Sequence, residues 1–142
     1  MQLSFKEAGG IKVYYNIKPV NDENTCIQCF NEKTYGDMML RLLKDYDSIM
    51  FRYMRGKIGG FDSDELYIFR KALPKCFLKL LDSQKNDVTT LKVNACRKLM
   101  KFIEKHSNID ADFDICCLYE TLDYAIIENI DICIKISDTP FK

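Results

Sequence analysis

The cysteines and the single histidine are the residues of this chain whose types could support chemistry. Cys26 and Cys29 form a CxxC pair, a spacing that supplies half of a structural zinc site or a redox-active dithiol. A structural zinc needs four ligands, yet no second CxxC or CxxH follows, and Cys116 and Cys117 are adjacent rather than spaced. We therefore predict no metal site and expect Cys26 to pack inward with Phe30 on a short turn of helix.

Catalytic motifs are missing from the sequence. No GxSxG, GxxxxGK(S/T) or GxGxxG pattern occurs, and Gly56, Gly59 and Gly60 do not fit a phosphate-binding loop. His106 is the only histidine and falls at the end of a predicted helix, where a cation is favourable. We therefore predict that the protein is not an enzyme and that it needs no cofactor.

Length, charge and composition are typical of one folded globular domain. The chain has 142 residues, of which 47% are hydrophobic and 30% charged, and this balance favours a packed core over disorder. Lysine plus arginine equals aspartate plus glutamate at 21 each, which disfavours a protein that binds nucleic acid by neutralising phosphates. No apolar run approaches a membrane span, and the N-terminus lacks the apolar core of a secretion signal. The seven cysteines are therefore expected to be free thiols in a reducing compartment.

A methionine-rich segment, residues 34–55, carries the strongest helix signal in the chain. Its apolar residues recur at helical spacing, and Gly56 follows its end. This apolar side of the helix can simply pack into the core. Alternatively, because methionine side chains are flexible, it can line a groove for a partner's amphipathic helix. The residues that would line this groove are Met39, Leu42, Leu43, Tyr46 and Met50.

Three more segments carry helical periodicity. A helix is predicted to start near Ser63 and to continue to about Asp82, with Pro74 either ending it or standing in the first turn of another helix. Residues 88–105 and 112–128 are predicted as two further helices, and the basic side of the first is interpreted as a solvated face. That basic side consists of Lys92, Arg97, Lys98, Lys101 and Lys105.

Both ends of the chain show the alternation that is typical of strands. In residues 11–17 apolar and polar side chains alternate, and Pro19 ends the run. In residues 130–136 four isoleucines alternate with other side chains, a pattern rich in β-branched residues. The second segment can pair with the first as a strand, while its shortness leaves a helix as the alternative.

The order of aromatic and aliphatic residues along the methionine-rich segment, the predicted central helix of this chain, resembles that of a known family. Tyr35 is followed by Leu42, by the step Tyr46-Asp47 and by Tyr53. This order is similar to the pattern of the poxvirus Bcl-2-like proteins. The run VTTLKVNACRKLMKFI resembles the central helix of that family, and LYETLDYAIIENID resembles its closing helices. The alternating N-terminal segment is like the extended leader that some members carry.

The resemblance implies a mainly α fold. It would be a compact Bcl-2-like helical bundle over residues 34–136, preceded by a short extended leader, residues 1–18, in a single domain of 1–142. The alternating segments predict an alternative, an α+β fold with a small sheet from residues 1–17 and 130–136.

The resemblance also implies a viral protein that acts in the host cytoplasm by binding host proteins. In one branch it blocks innate-immune signalling on the NF-kappaB or interferon-inducing pathways. In the other branch it inhibits apoptosis by sequestering the amphipathic helix of a pro-apoptotic Bcl-2 relative in the groove defined above. The alternative α+β fold predicts instead a dimerisation or strand-augmentation module, and a homodimer is compatible with each of these functions.

Overall fold

The structure contains an antiparallel β-sheet. A computed structural model describes residues 13–20, 28–46 and 73–140. Its strands are β1 Tyr14–Pro19, β2 Gln28–Asn31, β3 Val88–Leu91 and β4 Ile132–Ser137. Within these described ranges the strands form one antiparallel sheet in the order β2-β1-β4-β3, so β1 and β4 lie in the middle.

The structure also contains α-helices. In the described ranges they are α1 Glu32–Tyr46, α2 Lys75–Asp82, α3 Val93–His106 and α4 Phe113–Glu128, with short 3-10 turns at Ser83–Lys85 and Ile109–Ala111. The protein is therefore α+β. The mainly α bundle predicted for residues 34–136, and implied by the Bcl-2-like resemblance, is wrong because buried residues of the sheet form part of the core.

β1 and β4 form the longest strand pair. Their antiparallel register runs over six residue pairs and places Ile17 opposite Ile134. Both isoleucines are fully buried, as the two-residue period of a strand requires for one face. The alternative prediction, a sheet between the N-terminal segment and residues 130–136, agrees with this pairing, while residues 1–12 lie outside the described part.

Both edge strands occupy segments for which the sequence predicts helix. Phe30 lies in β2 opposite Tyr15 rather than on a helical turn, although it is buried as expected. Val88–Leu91 forms β3 against β4, so the predicted helix 88–105 begins only at Val93. The first residues of β3 are β-branched, and the extended backbone lets such side chains pack beside the isoleucines of β4.

The predicted central helix begins slightly earlier than expected. α1 starts at Glu32, and the side chain of Asn31 accepts a hydrogen bond from the Thr34 amide at 2.8 Å. Asn31 therefore caps the N-terminus of this helix. The other predicted helical segments, 47–55 and 63–72, lie outside the described residues.

Helices α2 and α4 start where their flanking residues favour it. Pro74 directly precedes α2, and its carbonyl accepts hydrogen bonds from the first turn, so Pro74 opens a helix. α4 matches the predicted helix 112–128 and is capped by the Asp112 carboxylate. Asn129 ends it in the left-handed conformation (φ 54°), which asparagine tolerates better than most residues.

Tyr35 joins the sheet to two helices inside the core. Its ring is fully buried on α1 and stacks on Tyr15 of β1, with centroids 4.1 Å apart. Its hydroxyl donates to the Leu80 carbonyl of α2 at 3.2 Å and lies 2.9 Å from Ser83 Oγ. Burial raises the pKa of Tyr35, so the hydroxyl remains a neutral hydrogen-bonding group.

An ion pair joins α1 to the start of α4. Arg41 donates to both carboxylate oxygens of Asp112, at 2.5 and 3.0 Å, and to Asp114 at 3.2 Å. Burial alone would raise the pKa of Asp112, but hydrogen bonds from Arg41 and from the Ile115 amide hold it below its usual value. The folded state therefore favours the charged carboxylate.

Replacing Asp112 with asparagine is expected to destabilise the protein by about 1 kcal/mol at neutral pH, because asparagine still caps α4 but forms no ion pair. The pKa of Asp112 is lower in the folded protein, so its contribution is complete above the unfolded pKa and is lost as pH falls through the folded pKa. Urea denaturation at neutral pH and at about pH 3 should show the difference between wild type and variant shrinking in acid. A difference that grows in acid would contradict this assignment.

Candidate functional site

Three of the residues predicted to line a groove lie in the hydrophobic core. Met39, Leu42 and Leu43 are each 0% exposed. Tyr46 is the last residue of α1, and Met50 lies outside the described residues. Because a groove residue must be accessible before its partner arrives, the three buried side chains do not line an open groove in this structure.

Cys29 and His106 lie on different elements of the structure, β2 and α3. Within residues 13–20, 28–46 and 73–140, no group of three or more His, Cys, Asp or Glu side chains is placed to hold a metal ion. Cys29 is a half-buried free thiol on β2, whereas Cys26 lies outside the described residues. His106 ends α3 and packs against Phe102, with ring centroids 5.0 Å apart. It borders a cleft between α2 and α3.

This cleft, which we name the basic cleft, has a volume of about 470 Å³. Its rim carries four exposed lysines, Lys75 from the start of α2 and Lys98, Lys101 and Lys105 from α3. His106 lies at one end, and among the described residues no acidic side chain is part of the lining. The cations therefore produce a positive field close to the cleft surface, even though the whole chain is formally neutral.

The floor of the basic cleft is apolar. It is formed by Pro74, Cys76 and Phe102, the last two of which are buried. Phe102 stacks on Phe77 of α2, with centroids 5.2 Å apart and an interplanar angle of 19°. This aromatic pair fixes α2 beside α3 and so sets the width of the cleft.

The helical repeat of α3 brings three lysines to the same side. Lys98, Lys101 and Lys105 are separated by three and four residues, which places them one above another on a helix. Leu99 and Ile103 are fully buried and fix the rotation of α3 against the core. The core-facing residues of α3 thereby determine where its cations point.

Cys76 is part of the cleft floor rather than an accessible nucleophile. It lies in the first turn of α2 and is 6% exposed. Burial raises the pKa of its thiol, and this effect outweighs the opposing influence of backbone amides and of Lys98. Because the thiolate is the reactive species, a covered and neutral Cys76 contributes packing to the cleft.

The sequence carries only part of the signal for this site. The spacing of the lysines on α3 is visible and predicts a solvated basic side, as interpreted above. Lys75 completes the rim because Pro74 opens α2 and the Phe77–Phe102 stack holds that helix in place. A tertiary contact such as the Phe77–Phe102 stack produces no periodic pattern in the sequence, so it could not be predicted.

Comparisons with protein-family models, with curated proteins and with solved structures found no match for this chain. In the part of the chain that the structure describes, no helix has the length and apolar character needed to cross a membrane.

Proposed function

We propose that this protein is a non-enzymatic interaction protein that binds an acidic segment of a partner protein in the basic cleft. The observation that carries the proposal is the combination of four lysines on the rim with an apolar floor. An apolar centre surrounded by polar or charged side chains is the anatomy of a protein-binding surface. The rim selects negative charge, and the floor receives an apolar side chain.

The charge pattern favours an acidic protein segment over nucleic acid. The chain has no net charge, so it lacks the general basic character by which most nucleic-acid binders neutralise a phosphate backbone. Among the described residues, the charged side chains that line the cleft are lysines and not arginines, and lysine contacts an anion as a point charge without the bidentate geometry of arginine. A few carboxylates placed beside an apolar residue match this lining.

The spacing of the rim indicates how such a segment would lie. Lys98 and Lys105 are seven residues apart on α3, a distance of roughly 10 Å along the helix axis. A partner helix with carboxylates at steps of three and four residues presents the same spacing. It would place an apolar side chain over Phe102 while its carboxylates contact the rim.

Binding of an acidic helical peptide tests this proposal. The peptide carries glutamates at steps of three and four residues around one leucine, and its control has glutamine at each glutamate. We expect the acidic peptide to bind and the double variant Lys98→Gln/Lys105→Gln to bind it about tenfold more weakly, as measured by fluorescence anisotropy. Binding should also weaken as salt is added, because exposed charges are screened.

A matched double variant tests whether weaker peptide binding comes from the cleft lysines or from any loss of positive charge. Lys79→Gln/Arg97→Gln also removes two exposed cations from α2 and α3, but neither residue belongs to the cleft lining. This control should leave the affinity nearly unchanged. Equal weakening by both double variants, equal binding of the glutamine peptide, or no binding by a folded sample would contradict the proposal.

The setting implied by the resemblance stays a prediction. A viral protein that blocks host innate-immune signalling from the host cytoplasm would be an interaction protein too, but the helical bundle expected for that family is contradicted. Apoptosis inhibition through a groove on α1 loses its main support, since Met39, Leu42 and Leu43 are buried. The strand-augmentation module also stays a prediction, and the sheet that it requires is present.

A further inference from the structure

Charge is strongly segregated between two neighbouring helices of this neutral chain. α4 contains four acidic residues and no lysine or arginine. α3, which packs beside it, contains four lysine or arginine residues and one glutamate. The chain therefore presents two surfaces of opposite sign, one of which is the basic cleft.

The outer side of α4 combines this negative charge with exposed apolar groups. Phe113 is 81% exposed and Ile127 is 69% exposed, at opposite ends of the helix. Glu120 lies midway between them, seven residues from each, so all three occupy one side of α4. Asp123 lies on the same side and is exposed. We name these four residues the acidic face.

The acidic face has the features that the basic cleft would recognise. Glu120 and Asp123 are three residues apart, the same step that separates Lys98 from Lys101. Ile127 follows Asp123 by one helical turn and can supply the apolar side chain for the cleft floor. The acidic face therefore presents carboxylates and an apolar side chain at steps of three and four residues, the spacing expected of a partner helix that binds the basic cleft.

We propose that the acidic face of one copy of this chain docks into the basic cleft of a second copy. The inference rests on the proposed function, because both use the same cleft, and it names a second copy of the chain as one occupant. The two surfaces differ, so each copy offers one donor face and one acceptor cleft. Self-association therefore competes with other acidic partners as the protein concentration rises.

Sedimentation velocity on the full chain tests the docking. Two variants each remove one surface by neutralisation, Glu120→Gln/Asp123→Asn for the acidic face and Lys98→Gln/Lys105→Gln for the basic cleft. The mean mass of wild type should rise with concentration and fall in high salt, while each variant alone stays monomeric. An equal mixture of the two variants should associate again, because one supplies the intact cleft and the other the intact face.

Several outcomes would overturn the inference. The first is a wild type that stays monomeric up to about 1 mM. The others are variants that associate like wild type and a mixture of the two variants that stays monomeric.

Peptide binding by the Glu120→Gln/Asp123→Asn variant distinguishes failure of this inference from failure of the proposed function. If that variant binds the acidic peptide but wild type does not self-associate, only the self-docking is wrong. If self-association needs both surfaces but no acidic peptide binds, only the proposed function is wrong.

Discussion

Replacing Leu43 with glutamate is expected to unfold this protein. Leu43 is fully buried on α1, and the substitution places a carboxylate among apolar neighbours without a partner. Burying an unpaired charge costs several kcal/mol, against a total stability of roughly 5–15 kcal/mol for a domain of this size. Circular dichroism during urea or thermal denaturation should show loss of the cooperative transition.

The neighbouring residue provides the control for this prediction. Lys44 is exposed on the same helix, so Lys44→Glu introduces the same side chain at the surface and should cost at most about 1 kcal/mol. A folded Leu43→Glu variant of near wild-type stability would contradict the buried position. It would also restore the prediction of a groove lined by Met39, Leu42 and Leu43.

Truncating Tyr35 to alanine is expected to cost roughly 3–5 kcal/mol, the second largest effect that we expect. The substitution removes a fully buried ring, its stack on Tyr15 and the buried hydrogen bond that its hydroxyl donates. Tyr35→Phe keeps the ring and should cost only about 1–1.5 kcal/mol, because Ser83 still donates to the Leu80 carbonyl. Urea denaturation gives both values.

Tyr119 provides the matched control for the hydroxyl of Tyr35. Its hydroxyl donates to Glu104 at 2.5 Å in an exposed hydrogen bond, which raises the pKa of Tyr119 to about 12. Tyr119→Phe should be less destabilising than Tyr35→Phe, since water can replace an exposed partner. The reverse order would show that the hydroxyl of Tyr35 is not satisfied inside the core as described.

The sequence predicts the central strand pair only as an alternative to a helical bundle, because the two alternating segments are short, whereas the periods of the longest helices extend over enough residues to predict a helix. The alternation around Tyr15 and Ile17 and the isoleucines of β4 has a two-residue period, and these segments pair in the structure. Helix α4 combines a capping aspartate with helical spacing.

The edge strands could not be predicted because they are too short to show a period. β2 and β3 each contain four residues. Val88–Leu91 also leads almost directly into α3, so its residues look like the first turn of that helix. Pairing with β4 decides their conformation, and that contact is set by the tertiary structure.

The predicted groove and the basic cleft both depend on tertiary contacts, so the sequence predicts these sites only in part. The apolar spacing of Met39 and Leu42 is the same whether a helix lines a groove or packs into a core, and the burial of both residues is visible only in the fold. The lysines of α3 show their spacing in the sequence, whereas the position of Lys75 opposite them depends on the packing of α2.

Amide chemical-shift mapping with the acidic peptide tests the central claim most directly. If the peptide binds in the basic cleft, the amide shift changes should concentrate in residues 75–76 and 98–106, on the two helices that form the cleft. Changes centred on β3, at the edge of the described sheet, would instead support strand augmentation, and changes along α1 would support the groove. Either result, with the cleft residues unperturbed, would contradict the assignment of the basic cleft as the binding site.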